Sequence, residues 1–403
     1  MSTLPTPGSE GALHATTARI AVSGFFLAGL LLSFLGAILP AWGYHLIARF
    51  ATAGLHFLVM AIGILGASAA AHHLIPRKGL GFVLVLAPGI ACGALLFLSL
   101  VSLLVSPLWT LLGVLLLGCG AGMLFSGLFH AISGIYRHNP AATVNIAGAL
   151  FTSGSLVLAL LVAGTFYSYT LGSILFFLAL VPGFFAGMFA KSRFVLEAAP
   201  EERTWSEAWA DFRSPAAWMF ALLLFFQFGN EWSIAGWLTI FLIQRIGVSP
   251  ATSLLMLALY WLALLVGRVG AQALLPRVHH GRLLGTSVLA ALFGCVILSF
   301  TKNTFGAVSG ILFIGAGFAV VYPLVVEKIG YRFPYFHPGL FNGIFSFAMM
   351  GGLLAPWTLG FFADWFGIGV VMLLPLVGTL MVALLLGAIW LEAKLTGAKE
   401  AAS

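Results

Sequence analysis

Residues 79–102 have the sequence GLGFVLVLAPGIACGALLFLSLVS, an apolar run that contains no charged side chain. About 20 such residues are enough for a helix to cross a hydrocarbon core of roughly 30 Å. Because a chain in lipid must satisfy its own backbone hydrogen bonds, a run of this kind folds as a helix. The stretch therefore predicts a membrane-spanning helix.

The composition of the whole chain agrees with this run. Of the 403 residues, 61% are hydrophobic and 7% are charged, whereas a soluble domain carries roughly 25% charged residues. We predict an all-α membrane protein with twelve transmembrane helices. The predicted spans are 19–42, 50–72, 79–102, 107–134, 142–166, 169–190, 215–243, 250–275, 281–301, 304–326, 338–362 and 368–392.

The connections between the spans are short, except for the predicted cytoplasmic linker 191–214. Its segment TWSEAWADF, residues 204–212, favours an amphipathic helix lying at the membrane interface, and a solvated linker is the alternative. The predicted domains are a cytoplasmic tail at 1–18, a six-helix bundle at 19–190, the linker, a second six-helix bundle at 215–392, and a cytoplasmic tail at 393–403.

The basic residues predict the orientation of the chain. They are dispersed singly or in pairs between apolar runs, so the net charge of +7 does not indicate binding to nucleic acid. With the N-terminus in the cytoplasm, fourteen Lys and Arg residues lie on the cytoplasmic side and three lie outside, with Arg268 inside a span. The positive-inside rule then predicts that both termini are cytoplasmic, and we expect a monomer in a bacterial inner membrane.

The two halves of the chain share short motifs in the same order. Such repeats in transporters normally place a solute site at their interface, near the middle of the bilayer. We therefore predict two pseudo-symmetric six-helix bundles. The matching pairs are Pro76-Arg77 with Pro276-Arg277, Gly120-Ala121-Gly122 with Gly315-Ala316-Gly317, Asn145 with Asn342, and Gly154 with Gly351.

Glu231 is the acidic residue nearest to the middle of any predicted span. Carboxylates at such depth are costly and mark solute or proton pathways. The neighbouring amides can bind hydroxyl groups, and indole faces can stack on a sugar ring. A structural Glu bonded between helices is the alternative. We predict a solute site formed by Gln227, Asn230, Glu231, Trp232, Trp237, Tyr260, Asn145 and His130, with Glu231 and His130 as proton-coupling residues.

Arg268 is the other charge inside a predicted span. Its helical offset from Glu231 corresponds to roughly 12 Å along the membrane normal, which favours a structural or gating role over solute contact. Arg77 and Arg277, at the ends of spans 2 and 8, are assigned the same kind of role. The histidine pairs His72-His73 and His279-His280 lack companion carboxylates or thiolates for a metal site. No metal and no cofactor are predicted.

Several of these residues resemble motifs of the major facilitator superfamily, and within it of the fucose/galactose/glucose–proton symporters. The resemblance extends over nearly the whole chain. It implies two six-helix bundles, alternating access and a sugar-like solute. The residues that carry it are Gly229, Glu231, Ile234, Gly236, Trp237 and Leu238 in span 7, Tyr260-Trp261 and Gly267-Arg268 in span 8, and Tyr322-Pro323, Gly351-Gly352, Pro356, Gly360, Asp364 and Gly367 from span 10 onward.

The proton-coupled sugar carriers also use an Asp in span 1 and a Glu in span 4. In this chain span 1 has no acidic residue, and span 4 offers only His130. Symport and facilitated diffusion therefore both remain open. A broad-specificity efflux carrier is the alternative within transport, and a non-transporting receptor or a membrane enzyme is the alternative outside it. We expect a transporter of a sugar or similar small hydroxylated solute, and no enzymatic activity.

Overall fold

The computed structural model describes residues 7–46, 49–101, 107–138, 140–192, 194, 214–274, 277–333 and 338–395, and side chains within them except at 7–18, 133–142 and 338–343. The described residues form helices joined by turns. The helices are α1 (Pro7–Leu32), α2 (Phe34–Ile38), α3 (Phe50–Lys78), α4 (Leu80–Leu100), α5 (Pro107–His138), α6 (Pro140–Thr165), α7 (Leu171–Ala190), α8 (Pro215–Ile246), α9 (Pro250–Leu274), α10 (His280–Phe300), α11 (Thr304–Phe318), α12 (Val321–Arg332), α13 (Pro338–Phe366) and α14 (Val370–Leu395).

Ten segments of the described chain are long and apolar enough to cross a membrane, which makes the protein a multi-pass integral membrane protein. One of these segments, Thr304–Arg332, contains both α11 and α12. The helix α8 is 32 residues long but is not among the ten. Polar side chains in its middle, from Gln227 to Glu231, lower its hydropathy, and these are the residues that the sequence marks as candidates for function.

Several helix boundaries differ from those predicted, and predicted span 1 is divided at Ser33. The first helix begins at Pro7, before the predicted start of span 1 at residue 19. Predicted span 10 is broken between Phe318 and Val321. Pro323 explains the break, because proline has no backbone N–H to bond to the preceding turn but is tolerated in the first turn of a new helix. The predicted interfacial helix at 204–212 lies outside the described residues.

The chain divides into two compact units. Unit 1 comprises Met1–Leu32, Val59–Ser155 and Tyr169–Ala199, and unit 2 comprises Ser33–Leu58, Leu156–Ser168 and Pro200–Ser403.

Glycines hold the helices of unit 1 close together. A methyl group on Gly118 would overlap the carbonyl oxygen of Met60, and one on Gly120 would come within 2.9 Å of Ala91. Small residues at a crossing let two helix backbones approach closely, which is the usual way in which membrane helices associate. The α5 glycines therefore bring α3 and α4 against α5.

Unit 2 has crossings of the same kind. A methyl group on Gly315 would lie 2.8 Å from the carbonyl oxygen of Tyr260, and one on Gly317 would lie 2.6 Å from the backbone nitrogen of Ala291. The partners of these glycines are numbered 200 above Met60 and Ala91. The contacts thus match Gly118 with Gly315 and Gly120 with Gly317, two residues away from the match that the sequence motif predicted.

A third pair of crossings follows the predicted match of Gly154 with Gly351. A methyl group on Gly154 would overlap the carbonyl oxygen of Phe26, and one on Gly351 would overlap that of Phe225. The first contact joins α6 to α1 within unit 1, and the second joins α13 to α8 within unit 2. Each unit therefore packs its own helices through glycines at corresponding places in the chain.

Candidate functional site

The middle of α8 carries a buried hydrogen-bonded pair. Glu231 is 8% exposed and Gln227, one turn earlier, is fully buried. The Nε2 amide of Gln227 donates to Oε1 of Glu231 at 2.8 Å. Residues four apart on a helix lie on the same face, so the sequence spacing itself produces this bond. Hydrogen bonds that involve an ionised group are among the stronger ones in proteins.

Two polar atoms of this region, one in the pair and one on α9, are buried without a hydrogen-bond partner in the described part of the chain. They are Oε1 of Gln227 and the hydroxyl of Tyr260, a residue of α9 whose side chain is fully buried. Tyr260 interacts electrostatically with Glu231. Buried polar groups normally have a partner. These two atoms are therefore candidate contacts for a solute or for water.

Arg268 belongs to the same group of polar residues. It lies two turns after Tyr260 on α9, is 7% exposed, and interacts electrostatically with Glu231, Tyr260 and Tyr322. Tyr322 stands in the first turn of α12, directly after the helix break. A cation among these groups offsets part of the cost of burying the carboxylate, and the gating or structural role of Arg268 stays a prediction.

Asn230 is hydrogen-bonded to α14 and takes no part in the bond between Gln227 and Glu231. Its Nδ2 donates to Oγ1 of Thr379 at 3.3 Å, and Thr379 in turn donates to the carbonyl oxygen of Pro375 at 2.7 Å. A methyl group on Gly378 would overlap the Asn230 amide, so a glycine is required beside it. Sequence reasoning missed Thr379, because a single threonine in an apolar span has no spacing that distinguishes it.

The two tryptophans of α8 have different surroundings. Trp237 is fully buried, its Nε1 donates to the carbonyl oxygen of Pro356 at 2.8 Å, and its ring stacks on Phe57 with centroids 5.8 Å apart. Trp232 is half-buried and lies beside Gly352. Trp237 has no exposed surface, whereas the side chain of Trp232 is partly exposed. Their predicted roles in binding stay predictions.

The remaining predicted site residues, Asn145 and His130, lie in unit 1 and are half-buried. The Nδ1 of His130 donates to the carbonyl oxygen of Ser126 at 2.9 Å. The His130 ring lies 6.2 Å from that of His72. That Asn145 and His130 bind the same solute as the α8 cluster stays a prediction.

Arg77 and Arg277 are exposed at helix ends. Arg77 is in the last turn of α3, and Arg277 follows α9, where its guanidinium donates to the carbonyl oxygen of Ala273 at 3.4 Å. Cations are favourable at helix C-termini, where backbone carbonyls are unpaired. Among the described residues, no group of three or more His, Cys, Asp or Glu side chains is arranged to hold a metal ion.

The helical fold is similar to that of a solved transporter of the major facilitator superfamily. No protein-family model matches the chain, and no curated protein matches it by sequence. The resemblance therefore rests on the helical architecture.

Three solved structures illustrate the likeness. The E. coli fucose:proton symporter superposes with a TM-score of 0.62 at 13% identity, covering 94% of this chain and 99% of its own. A nucleoside transporter gives 0.69 at 14% identity, with 94% and 100% covered. A bacterial homologue of the human lysosomal transporter Spinster gives 0.68 at 13% identity, with 99% and 100% covered. The predicted resemblance to this superfamily is confirmed at the level of the fold.

Proposed function

We propose that this protein is a secondary transporter that moves a sugar or a similar small hydroxylated solute by alternating access. The observation that carries the proposal is the buried polar cluster of α8 and α9, where Gln227 and Tyr260 keep polar atoms without a partner in the described chain. A structural network would be expected to satisfy such atoms. In a transporter fold they are suited to a passing solute.

The proposed architecture has twelve membrane spans in two six-helix bundles. The ten apolar segments are supplemented by α8 and by a first span made of α1 and α2. The matched crossings support the two-bundle arrangement: Gly118, Gly120 and Gly154 have counterparts Gly315, Gly317 and Gly351, each against a corresponding partner helix. We place both termini in the cytoplasm of a bacterial cell and the protein in its inner membrane, as the charge asymmetry favours.

The chemistry of the cluster favours hydroxyl groups as ligands. The amide oxygen of Gln227 and the carboxylate of Glu231 accept hydrogen bonds, and the Tyr260 hydroxyl can donate or accept one. A half-buried indole at Trp232 offers an apolar face for a ring. Two of the structural neighbours are named as carriers of fucose and of nucleosides, and both kinds of solute combine hydroxyl groups with a ring.

Glu231 is the proposed proton site, with His130 as a second. A carboxyl group that has bound a proton is neutral, so Glu231 itself carries no charge while the loaded carrier reorients. Glu231→Gln mimics the protonated group. We expect this variant to exchange solute between the two sides while losing accumulation driven by a proton gradient.

The test is uptake into proteoliposomes. Candidate sugars, nucleosides and organic cations are first screened for a shift in the thermal unfolding midpoint of the purified protein. Uptake of the best ligand is then measured with and without an imposed pH gradient, in the wild type, Glu231→Gln and Glu392→Gln. Glu392 is a matched control because its carboxylate is bound by Arg332, away from the middle of the spans.

The outcomes separate the alternatives. Gradient-driven accumulation in the wild type and in Glu392→Gln, but not in Glu231→Gln, supports symport through Glu231. Uptake that ignores the gradient in all three proteins supports a facilitator. Accumulation that persists in Glu231→Gln excludes Glu231 as the coupling residue. Export of lipophilic cations in place of hydroxylated solutes would overturn the substrate class and favour an efflux carrier.

A further inference from the structure

The buried cluster of α8 and α9 contains one acid and one base. Glu231 is 8% exposed and Arg268 is 7% exposed, and the two side chains interact electrostatically. Both belong to unit 2. An arginine side chain keeps its proton in proteins. When Glu231 is ionised, its negative charge therefore balances the positive charge of Arg268, and the cluster as a whole carries no net charge.

The other acidic residues of the chain, ten of the total of 11, are engaged or placed elsewhere. Asp364 accepts two backbone hydrogen bonds at the start of α3, Glu327 lies 3.0 Å from His280, and Glu392 is bound by Arg332. The others belong to the segments 1–18, 191–214 and 393–403, and they are Glu10, Glu197, Glu201, Glu202, Glu207, Asp211 and Glu400. Glu231 is therefore the acid that balances Arg268.

The other titratable groups near Glu231 are uncharged at neutral pH. Tyr260 interacts electrostatically with Glu231, with Arg268 and with Cys295 of α10, and Tyr322 of α12 interacts with Arg268. Tyrosine and cysteine ionise only well above pH 7. In α10, α12, α13 and α14 the charged side chains lie in the first turn or the last two turns, and α2 and α11 have none.

A proton on Glu231 changes this balance. Arg268 keeps its charge while Glu231 loses its own, so the cluster acquires a net positive charge. A net charge at this depth in a membrane protein is costly. A negatively charged solute would restore neutrality, whereas a neutral sugar would leave the positive charge in place.

The same cluster can also bind hydroxyl groups. Oε1 of Gln227 and the hydroxyl of Tyr260 are buried without a partner in the described part of the chain. The effect of Arg268 on an anion does not require direct contact. At a separation on the order of 10 Å and an effective dielectric constant of about 20, two unit charges change a binding constant by roughly tenfold or somewhat more.

We propose that the solute is a hydroxylated carboxylate, such as a sugar acid, and that it binds together with a proton on Glu231. This inference rests on the proposed function and names the class of solute for the same site. The proton binds to the Glu231 carboxylate, the carboxylate of the solute stays ionised, and Arg268 supplies the balancing positive charge. A proton and an anion then cross the membrane together without net movement of charge.

The first test compares matched probes on the purified full-length protein. Glucuronate is paired with glucose, and galacturonate with galactose, so that each pair differs in one carboxylate. Dissociation constants are measured at several pH values above about pH 5, where the probe carboxylate is ionised. In the wild type, the acid of each pair should bind roughly tenfold more tightly than the neutral sugar, and more tightly as the pH falls, because the acid binds with protonated Glu231.

Substitutions assign this preference to the two charged residues. Glu231→Gln should bind the acid with an affinity that no longer depends on pH, because the amide mimics the protonated group. Arg268→Gln should lose the preference for the acid, and Arg268→Lys should retain it, because lysine keeps the charge. The thermal unfolding midpoint identifies the variants that fold. The pH dependence of the wild type and of Glu231→Gln is informative without any Arg268 variant.

Three results would overturn the proposal. They are equal affinities of the wild type for the acid and for the neutral sugar, a pH dependence that persists in Glu231→Gln, and an unchanged preference for the acid in folded Arg268→Gln.

Uptake into proteoliposomes separates this inference from the proposed function. A pH gradient should drive accumulation of the acid, whereas a potassium diffusion potential should not, because no net charge moves. Binding of the acid as expected, without any uptake, would leave the solute class standing and remove the proposed transport. Uptake of a neutral sugar driven by the potential, without uptake of the matched acid, would do the reverse.

Discussion

The first and eighth helices occupy corresponding places in the two halves of the chain but differ in their side chains. Both cross a later helix at a glycine, α1 at Gly154 and α8 at Gly351. The stretch of α8 that holds Gln227, Asn230 and Glu231 is polar and buried. The corresponding stretch of α1 is apolar, and its Leu27, Leu30 and Leu31 are at most 1% exposed.

The residues that determine helix packing, the crossing glycines, are therefore different from the polar residues that are proposed to bind the solute. The crossings need small residues in both halves, because backbones approach closely there. The described part of α1 has no counterpart of the α8 polar residues, so such residues are not needed to pack this crossing. Four experiments test this comparison.

The largest effect is expected at the crossing glycines. Gly154→Leu and Gly351→Leu should each cost about 3 kcal/mol or more, because a side chain would displace a neighbouring backbone. The measurement is the yield of monodisperse protein and its thermal unfolding midpoint in detergent.

Gly164→Leu is the matched control within α6, since a methyl group there meets no atom within 4 Å. Its unfolding midpoint should stay close to that of the wild type. If Gly154→Leu were as stable as Gly164→Leu, the crossings would not specify the fold.

The second effect comes from exchanging residues between the two helices. Leu27→Gln should destabilise the protein by about 2 kcal/mol, since it buries an amide among apolar side chains. Gln227→Leu should retain folded protein but lose solute uptake, because it removes the amide that binds Glu231. Thermal unfolding and proteoliposome uptake are measured on both variants. Normal uptake by Gln227→Leu would show that the cluster is structural.

The third effect distinguishes the two tryptophans of α8. Trp237→Phe should lower stability by about 1 kcal/mol, because it removes the hydrogen bond to Pro356, and should leave the KM for the solute nearly unchanged. Trp232→Phe should raise KM with little change in unfolding midpoint. The two variants are reconstituted into liposomes in equal amounts so that their KM values can be compared. Equal rises in KM from both substitutions would contradict this division.

The smallest effect concerns the contact between His280, at the start of α10, and Glu327 of α12, which is an ion pair when the histidine is protonated. Nδ1 of His280 lies 3.0 Å from Oε1 of Glu327, and both side chains are partly exposed. Because such pairs are screened by solvent, Glu327→Gln should change the unfolding free energy by no more than about 0.5 kcal/mol and leave uptake intact. Denaturation measured at low and high salt provides the check. A loss of several kcal/mol would place Glu327 in a buried network.

Much of the fold follows from the sequence because membrane helices have a strong composition signal. The apolar runs located the membrane-spanning helices, and the cost of burying a charge identified Glu231 and Arg268 as residues of interest. The bond from Gln227 to Glu231 also follows from their spacing of four. The superfamily resemblance came from motifs centred on these same residues.

Other features depend on which helices contact one another, and no short sequence pattern reveals those contacts. The tripeptide Gly120-Ala121-Gly122 matches Gly315-Ala316-Gly317 by its letters, but the contacts match Gly118 with Gly315, because glycine is too abundant for identity alone to fix the alignment. Thr379 becomes visible only through its bond to Asn230, 149 residues away in sequence. The break at Phe318 was missed because the hydropathy of the segment continues through it.

The position of Trp237 has an optical consequence. Its indole ring is sealed from water, bonded to a carbonyl oxygen and stacked on Phe57 of α3. Any movement that separates the two rings would admit water, which shifts indole emission to longer wavelengths. The chain has 11 tryptophans, so the other ten must be replaced before this signal can be read. The protein then carries its own fluorophore at the contact between α3 and α8, and changes in that contact can be followed by light without an attached dye.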